Sequence, residues 1–240
     1  MLAHLHNVSG GVLAGDRLAL EIDVARGAAA QITTTGATRL YRHRAGAFDS
    51  EQSTTISVGE AAVLEYLPDP LIPYARARHA QTTEIRLART ATLFWWEVVA
   101  PGRQARGERF AFERLRIENS ILSETRLLLQ ENFVMEPGPK PLNAPARLGQ
   151  YSWLVSFCIC QEGRQPAFWR SLEDELNELA RRRTRRGEEV WGASMLISDG
   201  MIVRGLSSTS RFIHTALIDF WRMARTRLTG EDAVPPRKTY

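Results

Sequence analysis

The chain has 240 residues, 44% of them apolar, enough to bury one sizeable core or two small ones without staples. Its formal net charge of +4 is carried almost wholly by arginine, with Lys140 and Lys238 the only lysines, a skew that codon usage also produces, so the charge identifies no partner. No apolar run approaches the roughly twenty residues that a bilayer requires, so neither a spanning helix nor a signal peptide is read and a cytoplasmic location is the default expectation.

The run His6-Asn7-Val8-Ser9-Gly10-Gly11-Val12-Leu13-Ala14-Gly15-Asp16-Arg17 has the glycine content of a phosphate cradle. A cradle needs a helix N-terminus behind it, whereas here Leu18, Leu20, Ile22 and Val24 alternate strictly with polar residues, the period of a strand. The segment is therefore read as a glycine-permitted corner between strands. His6 is three residues from Ser9, but nothing orients that pair as base and nucleophile. His4 and His6 share a strand face and form the best local metal chelate, although ordinary strand histidines look the same.

The first half repeats a unit. The segment from Ile22 to Ile32 is echoed from Ile56 to Leu64 and from Ile85 to Phe94, each copy being an alternating strand, a small-residue turn and a second strand. The interval is about thirty residues, in the range of stacked repeats. Such units cannot cover their own apolar faces, so a β-helix-like stack of sheets, or a twisted β-sandwich, is the expected architecture. Pro68, Pro70 and Pro73 mark a corner or edge. Further strands are expected over Arg106–Glu118 and Ile121–Glu131, and the proline-rich segment from Glu136 to Pro145 reads as a loop.

The second half adds two helices, giving a mainly β fold. Cys158 and Cys160 lie in an apolar strand, pointing to one face. A disulfide across one residue would be strained and no further ligands sit at metal-site spacing, so they read as reduced thiols. After Pro166, Phe168, Trp169, Leu172, Leu176 and Leu179 recur at helical spacing, with arginines from Arg181 to Arg186 at the favourable C-terminal end. A second amphipathic helix is expected from Thr209 to Leu228 with Gly230 as its stop. Between the helices, Asp199-Gly200 joins Met195-Leu196-Ile197 to Met201-Ile202-Val203 as a hairpin.

No nucleophile elbow, HExxH, Walker pattern or zinc grid occurs in the sequence. Asp16, Glu65, Glu97 and Glu108 are carboxylates among apolar or glycine-rich neighbours, and any that points inward needs a partner, water or a cation.

In order along the chain, Ser9-Gly10-Gly11-Val12-Leu13-Ala14-Gly15-Asp16-Arg17-Leu18, Ile32-Thr33-Thr34-Thr35-Gly36 with Tyr41-Arg42, Leu64-Glu65-Tyr66-Leu67-Pro68, Trp96-Glu97-Val98, Gly102-Arg103 with Gly107-Glu108-Arg109-Phe110, and Pro235-Pro236-Arg237 resemble the urease accessory protein D family, called UreH in some organisms. The similarity covers nearly the whole chain and reads it as one domain, 1–240. It marks Gly10, Gly11, Gly15, Arg17, Thr33, Thr34, Arg42, Pro68 and Gly107 as motif positions.

The resemblance implies a non-enzymatic scaffold of stacked sheets with two helices, which binds apo-urease and the accessory proteins F and G, the latter a GTPase, and allows a homodimer within that complex. It implies no tightly bound cofactor but a transient passage of nickel, for which Asp16, Glu65, Glu97 and Glu108 are the candidate carboxylates. Arg211, Arg222 and Arg225 on the second helix are candidate docking residues. Members carry a few dozen more residues before the glycine motif, so the expectation is either a misassigned start or a first sheet that lacks its opening strands. They also favour prolines where Val8-Ser9 and Thr35 stand. Two other readings compete: a basic β-rich nucleic-acid-binding module using the arginines with Tyr41, Trp95 and Trp96, and a carboxylate-dependent enzyme using Glu65 and Glu97.

Overall fold

The repeating segments of the first half wind as a parallel coil that passes back and forth between two facing sheets. A computed structural model describes residues 1–236; Arg237 of the last motif lies outside them. β1 (Leu2–Leu5) is followed by β2 (Arg17–Val24) in one sheet and β3 (Ala29–Thr34) in the other. After β4 (Thr38–Leu40) the next turn runs from β5 (Ser50–Val58) to β6 (Val63–Tyr66), and after β7 (Leu71–Pro73) a third runs from β8 (Arg78–Leu87) to β9 (Thr92–Val99). The twisted-sandwich and β-helix alternatives are thus two views of one object: coiled strands, two open sheets.

The repeat is in register. Ile22 pairs with Ile56, Ile56 with Ile85, and Ile85 with Ile121 of β10 (Arg114–Ser123), so four isoleucines form one buried row. Ala30, Leu64 and Leu93 form the facing row, and Ile32, Tyr66 and Trp95 the next. Each turn therefore covers the apolar edge of its neighbour. The connections repeat as well: Gly27, Ala61 and Thr90 occupy the same turn position, all with φ between 56° and 67°. The amide N–H of Gly27 donates to Glu60 O at 2.9 Å, linking one turn to the next.

Antiparallel elements close the stack. β11 (Leu127–Met135) pairs with β10 at one edge, and the other sheet continues from β9 through β12 (Trp153–Gln161) to β14 (Gly200–Ser207) and β13 (Glu189–Met195). α1 (Pro166–Arg183) and α2 (Ile213–Thr229) lie on the outer face of that second sheet, where Phe94, Trp96, Phe157, Trp169, Phe220 and Trp221 form the largest core. Burial of such side chains stabilises by about 1.5–3 kcal/mol each. Pro166 occupies the first turn of α1, Thr209 accepts from the Arg211 N–H ahead of α2, and Gly230 ends α2 with φ 74°.

Three expectations shift. The strand placed from Arg106 begins at Arg114, because a short 3-10 turn over Gln104–Arg106 and a positive φ at Phe110 keep the chain irregular until then. The turn expected near Asn119 falls after Ser123, whose hydroxyl accepts from Arg126 N–H at 3.3 Å, while Asn119 stays in the ladder with an inward partner. In the Asp199 hairpin, Leu196 and Ile197 belong to the loop, and Asp199 takes the left-handed conformation.

The glycine corner is built by close approach. Val12 is buried and bridges to Leu40, its N–H donating to Arg39 O at 2.8 Å. A Cβ on Gly11 would lie 2.5 Å from Arg39 O and 2.6 Å from the Tyr41 ring. Gly27, by contrast, has open space around it and needs only its positive φ. Gly27→Ala should therefore cost about 1 kcal/mol, the intrinsic left-handed penalty. Gly11→Ala should cost about 2 kcal/mol or more, since carbonyl and ring must both move. Urea denaturation midpoints check the ordering.

Candidate functional site

The alternation that buries the isoleucine row fails in mid-sandwich, where the inward positions turn polar. Gln81 and Thr83 on β8, Asn119 on β10 and Glu131 on β11 face the gap from one sheet; Glu97 on β9, with Ser156 on β12 and Arg204 on β14 beside it in register, face it from the other. Glu97 reaches across. Its Oε2 accepts from Asn119 Nδ2 at 2.9 Å and its Oε1 from Gln81 Nε2. Arg204 donates to Glu131 Oε1, a second tie between the sheets.

Two cavities open on either side of this line. One, about 630 Å³, is bounded by Gln52, Thr54, Gln81 and Thr83 against Tyr66 and Trp95, and extends to the glycine corner. The other, about 470 Å³, lies between Ile117, Phe133 and Met135 and the strand residues Leu154, Ser156 and Leu206. Among the described residues, Glu97 alone borders both.

Burial, reinforced by the nearby Glu131 charge and opposed by the two amide hydrogen bonds, pushes the Glu97 carboxyl up to about 7. Burial and then the Glu97 charge push Tyr66 up to about 12, while burial drives the His79 imidazole down to about 4, so it is neutral in the fold. The thiols of Cys158 and Cys160 are raised first by burial, Cys160 to about 12, which keeps both protonated. Asn119 Oδ1, Ser156 Oγ and Glu131 Oε2 are buried without a hydrogen-bond partner among the described residues. Groups of this kind call for water or an ion.

Only one of the four candidate carboxylates stands here. Asp16 accepts the Leu13 N–H at 2.8 Å and holds the glycine corner. Glu108 pairs with Arg103, Nε to Oε2 at 2.9 Å, and accepts the Ala75 N–H at 3.1 Å. Glu65 points to the opposite face of the sheet from Glu97, where Arg225 Nε meets Oε1 at 2.6 Å and Gln31 donates to Oε2 at 2.6 Å. Glu65 and Glu97 thus cannot act as one catalytic pair. Among the described residues, no three His, Cys, Asp or Glu side chains converge as a metal cage.

The remaining motif residues hold backbone. Thr33 Oγ1 donates to Leu67 O at 2.7 Å, Thr34 exchanges bonds with Asp69, Pro68 O accepts from Trp96 Nε1 at 2.9 Å, and Gly107 ends a turn with φ 75°. Arg17 lies 3.3 Å from Glu51, and Arg42 is exposed. Ser9 bonds to Asn7 and to Gly11 O, so its hydroxyl is engaged in the corner; His6 lies beyond the end of β1. The helix expected from Thr209 begins at Ile213, so Arg211 lies in the 3-10 turn Ser210–Phe212 ahead of α2; it and Arg222 of α2 are exposed, whereas Arg225 is drawn into the fold, also donating to Asp232 O at 2.7 Å. Gln81, Asn119, Glu131, Ser156 and Arg204 escaped the sequence reading. Their signal was polarity at inward parity, visible only once both strand register and facing sheet are known.

An open parallel coil with helices on one outer face and a polar line across its interior defines a β-solenoid scaffold. Over residues 1–240 the chain matches the family described as UreD urease accessory protein. It is 42% identical over 237 residues to the urease accessory protein UreD of Herpetosiphon aurantiacus, covering 99% of this chain and 82% of that protein. With the urease accessory protein UreD of Pseudomonas fluorescens it shares 35% identity over 228 residues, 95% of this chain and 76% of the relative. The chain belongs to the UreD urease accessory protein family, whose members are accessory proteins and not enzymes.

Two substitutions test the electrostatics. Among the described residues, Arg225→Ala leaves the Glu65 carboxylate, 5% exposed, with Gln31 as its remaining hydrogen-bond donor and should cost about 3–5 kcal/mol, whereas replacing both partners by leucine should recover much of that loss. For Glu97, the folded protein keeps a proton that the unfolded chain releases between the ordinary carboxyl value of 4.5 and about 7. Stability should thus fall as pH rises through that window, by up to about 3 kcal/mol, and Glu97→Gln should abolish this component. The difference between wild-type and Glu97→Gln denaturation curves measured from about pH 4 to 8 reads it directly.

Proposed function

We propose that this chain is the scaffold that assists nickel delivery into immature urease, binding apo-urease and the accessory proteins F and G, with the metal ion as cargo passing between the two sheets. The observation that carries the reading is the pair of cavities that meet Glu97, the first bordered by the amides and hydroxyls of Gln52, Thr54, Gln81 and Thr83, the second by apolar side chains with Ser156 and Arg204 among them. Nickel in transit needs oxygen ligands and water that exchange it readily; thiolates and grouped imidazoles would retain it. The two thiols are protonated and buried, which fits a metal path that avoids them as well as a reducing cytoplasmic setting.

The nucleic-acid reading loses its stacking groups, since Trp95 and Trp96 are 3% and 4% exposed and Tyr41 packs edge-on against Tyr74. Many arginines are also ion-paired, among them Arg103, Arg114, Arg183 and Arg204.

The test fills one cavity at a time, with Gln52→Trp in the first and Ser156→Phe in the second. Each variant should still co-purify with accessory protein F and apo-urease, yet slow nickel-dependent urease activation at limiting nickel by about tenfold or more. Failure of the wild-type chain to bind either partner would remove the scaffold reading; unimpaired activation by both assembled variants would remove the passage.

A further inference from the structure

Among the described residues, Glu97 is the one that borders both cavities, and the way it is held is informative. Glu97 is tied by two amides, Gln81 Nε2 and Asn119 Nδ2, both on the sheet opposite its own strand. With these bonds made, its carboxyl lies across the gap, and the same residue borders each cavity. We infer that Glu97, Gln81 and Asn119 form a latch across the sandwich, closed by the two amide bonds and opened by a cation that draws the carboxylate away from them. This inference rests on the proposed passage and names its regulating residues.

The groups around the latch suit that use. Tyr66 and Cys158 face it protonated from the same sheet, and Arg204 is engaged with Glu131, so no cation of the protein competes for the Glu97 carboxylate through a direct contact among the described residues. The amides are neutral dipoles, and a divalent cation offers a carboxylate a far stronger interaction. Ser156 Oγ, which borders the second cavity, and Asn119 Oδ1 and Glu131 Oε2 on the facing strands are oxygens without a hydrogen-bond partner among the described residues, and such oxygens can receive an incoming ion or its water shell. An anion is repelled by the carboxylate, and a neutral solute offers it no more than the two amides already give, so neither opens the latch.

A latch and a plain ligand make opposite statements about two substitutions. Glu97→Gln keeps the side-chain length and, with the Asn119 amide turned to accept through its unpartnered Oδ1, a bond to each amide, but removes the charge by which a cation opens the gap. Gln81→Ala keeps the charge and removes one of the two ties. At limiting nickel, in the complex of the full chain with its accessory partners and apo-urease, Glu97→Gln should slow activation about tenfold and Gln81→Ala should speed it about threefold. Circular dichroism and co-purification establish that both variants fold and assemble.

Slowing in both variants would make the trio a fixed structural or ligand unit and overturn the latch; no change in either would place the latch off the route and overturn it equally. The cavity-filling variants Gln52→Trp and Ser156→Phe separate the two failures. If they block activation while Glu97→Gln and Gln81→Ala do not diverge, the latch alone fails; if they too are inert, the passage fails with it.

Discussion

Everything in this molecule depends on the registered stacking of coil turns. A single turn presents alternating apolar residues with nothing of its own to cover them, so Ile22, Ile56, Ile85 and Ile121 must lie side by side for any of them to be dry. Register is then fixed, because a slip of one residue would turn every inward side chain out. The turn positions obey the same demand: Ala61 and Thr90 accept a left-handed conformation because the strands on either side fix where the chain must reverse. The local strain is offset by the row of contacts it permits.

Fixed register also decides what each side of a strand can do. The second sheet is sandwiched between the helices and the first sheet, so alternate residues along one strand meet two different environments. Glu65 falls on the helix side, where Arg225 and Gln31 satisfy it as part of the packing. Glu97 falls on the gap side, where among the described residues its hydrogen-bond donors are neutral amides and its carboxyl is pushed upward by burial. One glutamate serves the joint between helix and sheet; the other carries an electrostatic cost that the fold does not remove. Residual cost of that kind concentrates at functional positions.

Much of the scaffold was legible in the sequence because its signals are local or periodic. The repeat, the proline-led and glycine-stopped helices, the Asp199 hairpin and the non-nucleotide character of the glycine corner all come from spacing and backbone chemistry. The edges of β10 and β11 did not, since Asn119 and Ser120 carry turn-like composition yet sit in mid-strand, Asn119 bonded to Glu97. The gap residues were hidden for a related reason. Glu97 stood out beside Trp96 and Val98, but Gln81, Asn119, Glu131 and Ser156 acquire meaning only from partners on a facing sheet many residues away. Arg225 shows the converse: its helix was readable, but its engagement with Glu65, 160 residues distant, was not.

A site that holds a metal and a path that passes one make opposite demands on the same side chains. Holding favours convergent, deprotonated, soft or imidazole ligands, and the deeper the binding well the slower the release. Passing favours shallow wells in succession, with donors that exchange with water and no single position that satisfies the ion. The interior carries groups that the proposed passage calls for: amide and hydroxyl oxygens distributed over several strands, one carboxyl engaged by neutral amides and another by Arg204, and thiols kept protonated by burial. A β-solenoid is well suited to present such a series. Each turn adds one strand to each sheet in unchanged register, so polar positions can be laid across the gap one rung at a time while the apolar rows on either side carry the stability.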